Sequence, residues 1–368
     1  MTSANPALAQ FIRSIPLFSL VDDADLNDVL RLFRPVELSA GDVLFGEGDP
    51  GKAMWVLGEG TEVSVATTAG QNRPVVVAYA RKSDVVGEMA LVDDGPRSGT
   101  AIVTQSGPAH QIDANEFQAM RGAFVPAAFK VLRKISVDLC ARLRHTNERI
   151  VPSGNAGIET PPLPRGPRPT KEMVDRYPAF KALPAVVKLA LAAKLEVIEL
   201  TEMSPIFAEG EKTDGAYFIV EGEVSVGRNG KTLANLPAGT MFGVVACIDA
   251  GVRSASCVAT GPATLLKMSD RDFDQLFVAG HRFAFQIVDL IARQLVQHVR
   301  EANMMLPLPG RPSGIARTSS KPVEKMLPAA PSEADLDVIS TELEVESSLS
   351  IELELDLTDF NAEAEPLG

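Results

Sequence analysis

Two stretches of the chain repeat one plan. Phe45 to Val65 reads FGEGDPGKAMWVLGEGTEVSV, and Phe207 to Val226 reads FAEGEKTDGAYFIVEGEVSV. In both, β-branched and aromatic residues alternate between Gly, Asp and Pro punctuation, which is the pattern of short strands joined by tight turns. Each copy is therefore expected to close into a small antiparallel β-roll. Behind each roll runs a helical stretch with apolar residues three and four apart: Phe117, Met120, Phe124, Val131, Ile135, Leu139 and Leu143 in the first copy, and Phe273, Leu276, Phe277, Phe285, Val288, Ile291 and Leu295 in the second. The expected fold class is mainly β with α: two antiparallel, jelly-roll-like β-rolls, each flanked by helices.

At 368 residues the chain has room for two or three domains. Between the copies lie Pro152, Pro161, Pro162, Pro164, Pro167 and Pro169, a composition that reads as a stiff, extended linker outside either core. The expected division is 1–150 for the first domain, 151–172 for the linker, 173–306 for the second domain and 307–368 for a disordered acidic tail.

Charge is unevenly spread. Ser332 to Gly368 holds twelve acids and no Lys or Arg, so the net charge of −13 leaves about −1 for the rest of the molecule. Such a body offers no electrostatic footprint for DNA. Cys140, Cys247 and Cys257 are an odd number without metal-ligand spacing, which favours a reduced, cytoplasmic setting over a disulfide framework. The start, MTSANPALAQ, lacks the basic-then-apolar pattern of a signal peptide, and apolar runs such as Ala185 to Leu195 are broken by lysine and too short for a bilayer. Neither DNA nor a membrane is expected as a partner.

One segment, GEMALVDDGPRSGTA from Gly87 to Ala101, carries a chemistry. Glu88 opens a short apolar turn, Met89, Ala90, Leu91 and Val92, whose first backbone N–H groups lack partners inside the turn and attract an anion. After the turn-forming run Asp93, Asp94, Gly95 and Pro96, Arg97 can fork onto phosphate oxygens facing those groups. Glu88 is acceptor-only when ionised, which suits it to sugar hydroxyls on the far side of the same ligand.

This segment resembles the phosphate-binding cassette of the cyclic-nucleotide-binding domain, found in kinase A regulatory subunits, gated channels and the bacterial catabolite activator protein. The family pattern is Gly-Glu-hydrophobic-Ala-Leu, a short run, then Pro-Arg-small-small-Thr; Gly87, Glu88, Met89, Ala90, Leu91, Pro96, Arg97, Ser98, Gly99 and Thr100 fill it. The resemblance implies a cyclic AMP or cyclic GMP ligand, with Glu88 on the ribose 2′-hydroxyl, Arg97 on the cyclic phosphate, and the backbone N–H groups of Ala90 and Ser98 on its remaining oxygens. Gly99 stands where the family has alanine. A Ser98 hydroxyl could also meet a guanine amino group, as in cyclic-GMP readers, so the base stays open.

The second copy departs from this pattern. FGVVACIDAGVRSASCVA, from Phe242, keeps Gly243 and Arg253, with Ser254 following, but puts Val244 where Glu88 stands and Val252 where Pro96 stands. A 2′-hydroxyl there would lack its acceptor, at a cost of about 1–3 kcal/mol, or about 10- to 100-fold in affinity. Gly243, Arg253 and Ser254 form a second candidate site, in which Arg253 either binds a phosphate or holds the loop through backbone carbonyls.

Other residues have plainer readings. Thr146 and Asn147 read as a solvated helix face, with reach to a bound base as the rival. Cys247 and Cys257 read as small buried residues rather than redox groups. His110, His145, His281 and His298 are scattered, so neither a metal site nor a catalytic triad is suggested, and no carboxylate pair points to an enzyme. No Arg-Arg-x-Ser-like inhibitor segment is found, so kinase inhibition is not implied.

In the tail, LSIELELDL from Leu349 to Leu357 alternates apolar and polar residues. It reads as a solvated spacer or as a strand that docks on a protein partner or on the chain's own roll. The long helices can form a homodimer seam or pack on their own domain. The expected function is a cyclic-nucleotide-binding regulatory protein that signals to an unidentified partner when the helix from Phe124 to Arg149 shifts. Its alternative is a constitutive scaffold with unoccupied rolls and a partner-docking tail.

Overall fold

A computed structural model describes residues 6–68, 74–152, 160–280 and 282–305. His281 and the acidic tail, including LSIELELDL, lie outside the described residues. The first half opens with helices α1 (Pro6–Ser14) and α2 (Leu26–Leu30). Eight strands follow: β1 (Arg34–Leu38), β2 (Val43–Phe45), β3 (Ala53–Leu57), β4 (Glu62–Thr67), β5 (Val75–Ala80), β6 (Val85–Val86), β7 (Thr100–Gln105) and β8 (Gly107–Asp113). Helices α3 (Ala114–Gly122) and α4 (Pro126–Ile150) end this half.

The second half repeats the order. Helices α5 (Lys171–Arg176) and α6 (Ala185–Lys194) lead into β9 (Leu195–Leu200), β10 (Pro205–Phe207), β11 (Gly215–Glu221), β12 (Glu223–Arg228), β13 (Lys231–Pro237) and β14 (Met241–Phe242). Then come α7 (Val244–Ile248), β15 (Ser256–Ala259), β16 (Ala263–Ser269), α8 (Asp270–Ala279) and α9 (Arg282–Met304).

The fold is mainly β with helices, and the two rolls have one topology. The first pairs its strands as β1-β8-β3-β6 and β2-β7-β4-β5; the second pairs them as β9-β16-β11-β14 and β10-β15-β12-β13. All pairings are antiparallel. Each roll encloses its own apolar cluster, with Leu57, Val63 and Val103 in the first and Ile219, Val224 and Leu265 in the second.

The helices start where side chains can cap them. Asp113 accepts from the backbone N–H groups of Asn115 and Glu116 at 2.8 and 3.2 Å to begin α3, and Ser269 accepts from Asp272 N–H to begin α8. The continuous helix expected from Phe124 is broken there: Phe124 sits at φ 55°, and Pro126 restarts the chain as the first turn of α4.

The described part of the proline-rich linker, from residue 160 onward, is not free of the core. Pro167 O accepts from Val197 N–H of β9 at 2.9 Å, Leu163 packs against the second roll, and Thr160 donates to Glu211. An extended segment leaves its backbone groups open to an edge strand, so rigidity and docking go together.

The helices meet in one shared core. A single apolar cluster runs from Ile12 and Phe18 through Leu132 and Ile135 of α4 to Ile291 and Leu295 of α9. Helix α4 packs along α9, with Phe285 touching Phe129 and, edge-on, Phe124. The apolar helix faces are therefore spent on each other within one chain. Among the described residues no helix is long and apolar enough to cross a membrane.

Candidate functional site

The first cassette sits between β6 and β7. Gly87 takes φ 87°, and a Cβ there would lie 2.6 Å from Arg97 Nη1, so only glycine admits both the turn and the arginine. Glu88, Met89, Ala90 and Leu91 form one buried 3₁₀ turn. Ala90 N–H is already donated to Gly87 O at 3.1 Å, so this expected phosphate contact has a partner inside the turn. Ser98 is half-buried, and Gly99 is fixed by contact: a Cβ would come within 2.7 Å of Ala66 O, which explains why the family's alanine is absent.

Arg97 is only 7% exposed. It donates Nη1 to Gly87 O at 3.0 Å and Nη2 to Ala53 O at 2.5 Å, and it stacks 4.1 Å from the Phe45 ring centroid. Its Nε–H has no acceptor, and among the described residues no carboxylate lies within ion-pair distance. Burial lowers the Arg97 pKa, opposed by the charges of Glu88 and Asp49. A buried guanidinium without a counter-ion is a place where an anion lowers the free energy.

Glu88, 8% exposed, pairs with Arg142 of α4 at 2.7 Å. That charge raises the Arg142 pKa above its ordinary value. Two oxygens offer about four acceptor directions, so Glu88 can keep Arg142 and still accept a hydroxyl. The residue expected to face a ribose is thereby tied to the helix expected to respond.

The second cassette keeps the posture and changes the charge balance. Gly243, at φ 79°, accepts from Arg253 Nη1 at 2.7 Å, and Gly215 O accepts from Nη2 at 2.8 Å. Arg253 stacks 4.0 Å from the Phe207 centroid, as Arg97 does on Phe45. Of the two roles expected for Arg253, the loop-holding one is formed here, with a carboxylate added: Nη2 also pairs with Asp214 at 2.6 Å. In the first copy the residue before the accepting carbonyl is Lys52, of opposite sign.

Thr146 is buried and Asn147 half-buried, so this face of α4 is not the solvated one expected; the second domain covers it. Cys140, Cys247 and Cys257 are all buried free thiols; burial pushes the Cys247 pKa up to about 11 and that of Cys257 up to about 12. Among the described residues no group of three or more His, Cys, Asp or Glu is placed to hold a metal.

Sequence reading missed the residues that join the cassettes to the helices. Arg300 of α9 binds Asp93 at the end of the first turn, Arg144 of α4 binds Asp249 at the end of the second, and Arg144 Nη2 also donates to Val252 O at 2.7 Å. Arg121 donates to Leu91 O and Val92 O at 2.7 and 2.8 Å and pairs with Asp289 of α9. Aligning the two cassettes and extending the same offset into the helices would have set Arg144 against Arg300.

The cyclic nucleotide-binding domain family matches the chain twice, over residues 35–123 and 197–279, and each match contains one cassette. A cAMP-dependent protein kinase type II regulatory subunit of Drosophila melanogaster is 24% identical over 275 residues, which are 73% of this chain and 61% of that protein. A cAMP-dependent protein kinase regulatory subunit of Dictyostelium discoideum is 22% identical over 278 residues, 73% of each. Among solved structures, the regulatory domain of Toxoplasma gondii PKA with cAMP aligns at 19% identity and a TM-score of 0.30, over 79% of this chain and 96% of that one. This chain thus spans under two thirds of the fly relative. Both family matches end before α4 and α9 begin, so the helical seam lies outside them.

Proposed function

We propose that this chain, which carries the cyclic nucleotide-binding domain twice, is a regulatory protein whose first domain takes one cyclic purine nucleotide, cyclic AMP or cyclic GMP. The observation that carries the reading is the state of Arg97: buried, aligned by two carbonyls, and lacking among the described residues both a counter-ion and an acceptor for Nε–H. A cyclic phosphodiester supplies one negative charge and unshared oxygens to that group. Across the turn, Glu88 accepts the ribose hydroxyl while still holding Arg142.

The response follows from who else holds the cassette. Glu88 is tied to α4 through Arg142 and Asp93 to α9 through Arg300, so a ligand that moves the turn changes the fit of both helices. A ligand shifts such an equilibrium only by its difference in affinity between the two arrangements. The partner that reads the helices is a protein; the relatives' names make a protein kinase the first one to test.

Calorimetric titration of the full chain with cyclic AMP and with cyclic GMP decides the matter. One ligand per chain is expected, with affinity lower by on the order of 100-fold in the Arg97→Ala variant. Absence of heat with both nucleotides would overturn the reading and favour a constitutive scaffold.

A further inference from the structure

A cavity of about 120 Å³ opens against the second cassette. Its roll side is walled by Phe207, Leu236, Phe242, Val244 and Cys257. The opposite side is shared between Leu143, Asn147 and Ile150 of α4 and His298, Ala302 and Met305 of α9. An occupant would therefore touch both domains.

Three features set the chemistry of that occupant. The end that holds Glu88 and Arg142 in the first domain has exchanged both members: Val244 stands for Glu88, and His298, at Arg142's place in the helix, stands for the arginine. Burial lowers the His298 pKa, opposed by the charge of Glu301 beside it. A sugar diol brought there would find Val244 in place of the cassette carboxylate, with Asn147, His298 and Glu301 of the helices as its polar neighbours.

The charge of Arg253 is already matched by Asp214, which Lys267 also holds at 2.7 Å and to which Tyr217 donates its hydroxyl. Burial acts to raise the Asp214 pKa, but those bonds outweigh it and keep the carboxyl below its ordinary value. An anionic ligand would have to compete with that carboxylate for Nη2 of Arg253.

The wall also carries Asn147, Ser254, His298 and Glu301, but among the described residues one buried side-chain donor in it is left without a partner. Arg253, 2% exposed and part of the cavity wall, has an Nε–H with no acceptor among the described residues. We infer that the second domain binds a small, uncharged, largely apolar molecule whose single hydrogen-bond acceptor meets Arg253 Nε–H, and that it does not bind a cyclic nucleotide. This site is independent of the first cassette, so either assignment can fail alone.

Acetophenone, an uncharged single ring with one ketone, matches a cavity of this size and is a suitable probe for the full chain. Saturable one-to-one binding in a calorimetric titration is expected. The cavity-filling variants Ala234→Trp and Val226→Phe, both at half-buried wall positions, should each weaken it by about tenfold or more while keeping the thermal unfolding midpoint. Two variants guard against one that fails to fold. In an Arg97→Ala chain, cyclic AMP at about 1 mM should leave the bound probe in place. Non-saturating binding, binding indifferent to the filled cavity, or displacement by cyclic AMP would each overturn the inference, whatever calorimetry says of the first domain.

Discussion

Arg300 donates Nη1 and Nη2 to the two carboxylate oxygens of Asp93, at 2.6 and 2.7 Å, across 207 positions of sequence. Arg144 also grips Asp249 through two bonds, from Nε and Nη2. The second pair maps onto the first by one shift of 156 positions, 144 to 300 and 93 to 249. Phe129 and Phe285, related by the same shift, touch each other. Each cassette turn is thus fastened by the other domain's helix, about a local pseudo-twofold axis.

The Arg300–Asp93 contact is bidentate and largely buried, so it should be worth more than a surface pair. A double-mutant cycle with Arg300→Ala and Asp93→Ala, read by thermal unfolding, should give a coupling of about 1–2 kcal/mol. A coupling near zero would mean that the helix merely rests on the turn.

The two arginines should separate cleanly in binding. Arg97→Ala and Arg97→Lys should each reduce cyclic-nucleotide affinity by on the order of 100-fold, because lysine offers a point charge and no fork. Arg253→Ala should leave that affinity within about twofold. Calorimetry on the three variants checks both statements, and a large loss on changing Arg253 would move the site to the second roll.

Glu88 should matter only through the ribose hydroxyl. Glu88→Gln should weaken cyclic AMP by about 10- to 100-fold, yet barely change the affinity for 2′-deoxy cyclic AMP, which has nothing to donate there. Equal losses for the two ligands would show that Glu88 acts by holding Arg142 and α4.

Acid should destabilise the protein through His110. This ring lies between Phe11 and Phe33, at 5.4 and 5.5 Å, and burial lowers its pKa below the usual 6.5. The unfolded chain therefore binds the proton first. Its contribution is intact above about pH 6.5 and is lost as pH falls from there towards the folded value. His110→Leu should flatten the fall of the unfolding midpoint across that window; an unchanged slope would assign the acid sensitivity to other groups.

Asp274 carries the opposite sign. Burial, and then the charge of Asp270, push its pKa up from 3.8 to about 6. The folded chain holds the proton more tightly, so this group costs stability as pH rises through 6. Asp274→Asn should stabilise at pH 7.5 by on the order of 1 kcal/mol, a figure discounted for its half-exposed position, and should do little at pH 4. Equal effects at both pH values would contradict this.

The rolls, the flanking helices and the cassette turn were legible because each rests on neighbours in the chain. Strand alternation, the Gly87 turn and the three-and-four spacing of α9 are local patterns. The break at Phe124 escaped because the apolar period runs straight through it; only the positive φ and Pro126 reveal it. The linker was misjudged for a related reason: proline sets the backbone's extension but does not say which edge strand accepts it.

The sequence by itself determined two rolls of one plan and placed a lone arginine and a carboxylate in the first cassette, since those depend on spacing within a dozen or so residues. The tertiary structure alone decided that Glu88 answers to Arg142, that Arg253 is paired with Asp214, and that the two long helices close on each other. Hydrogen bonds and ion pairs act over a few ångströms of space, and the segments they join here lie tens to hundreds of positions apart. No local pattern carries that proximity.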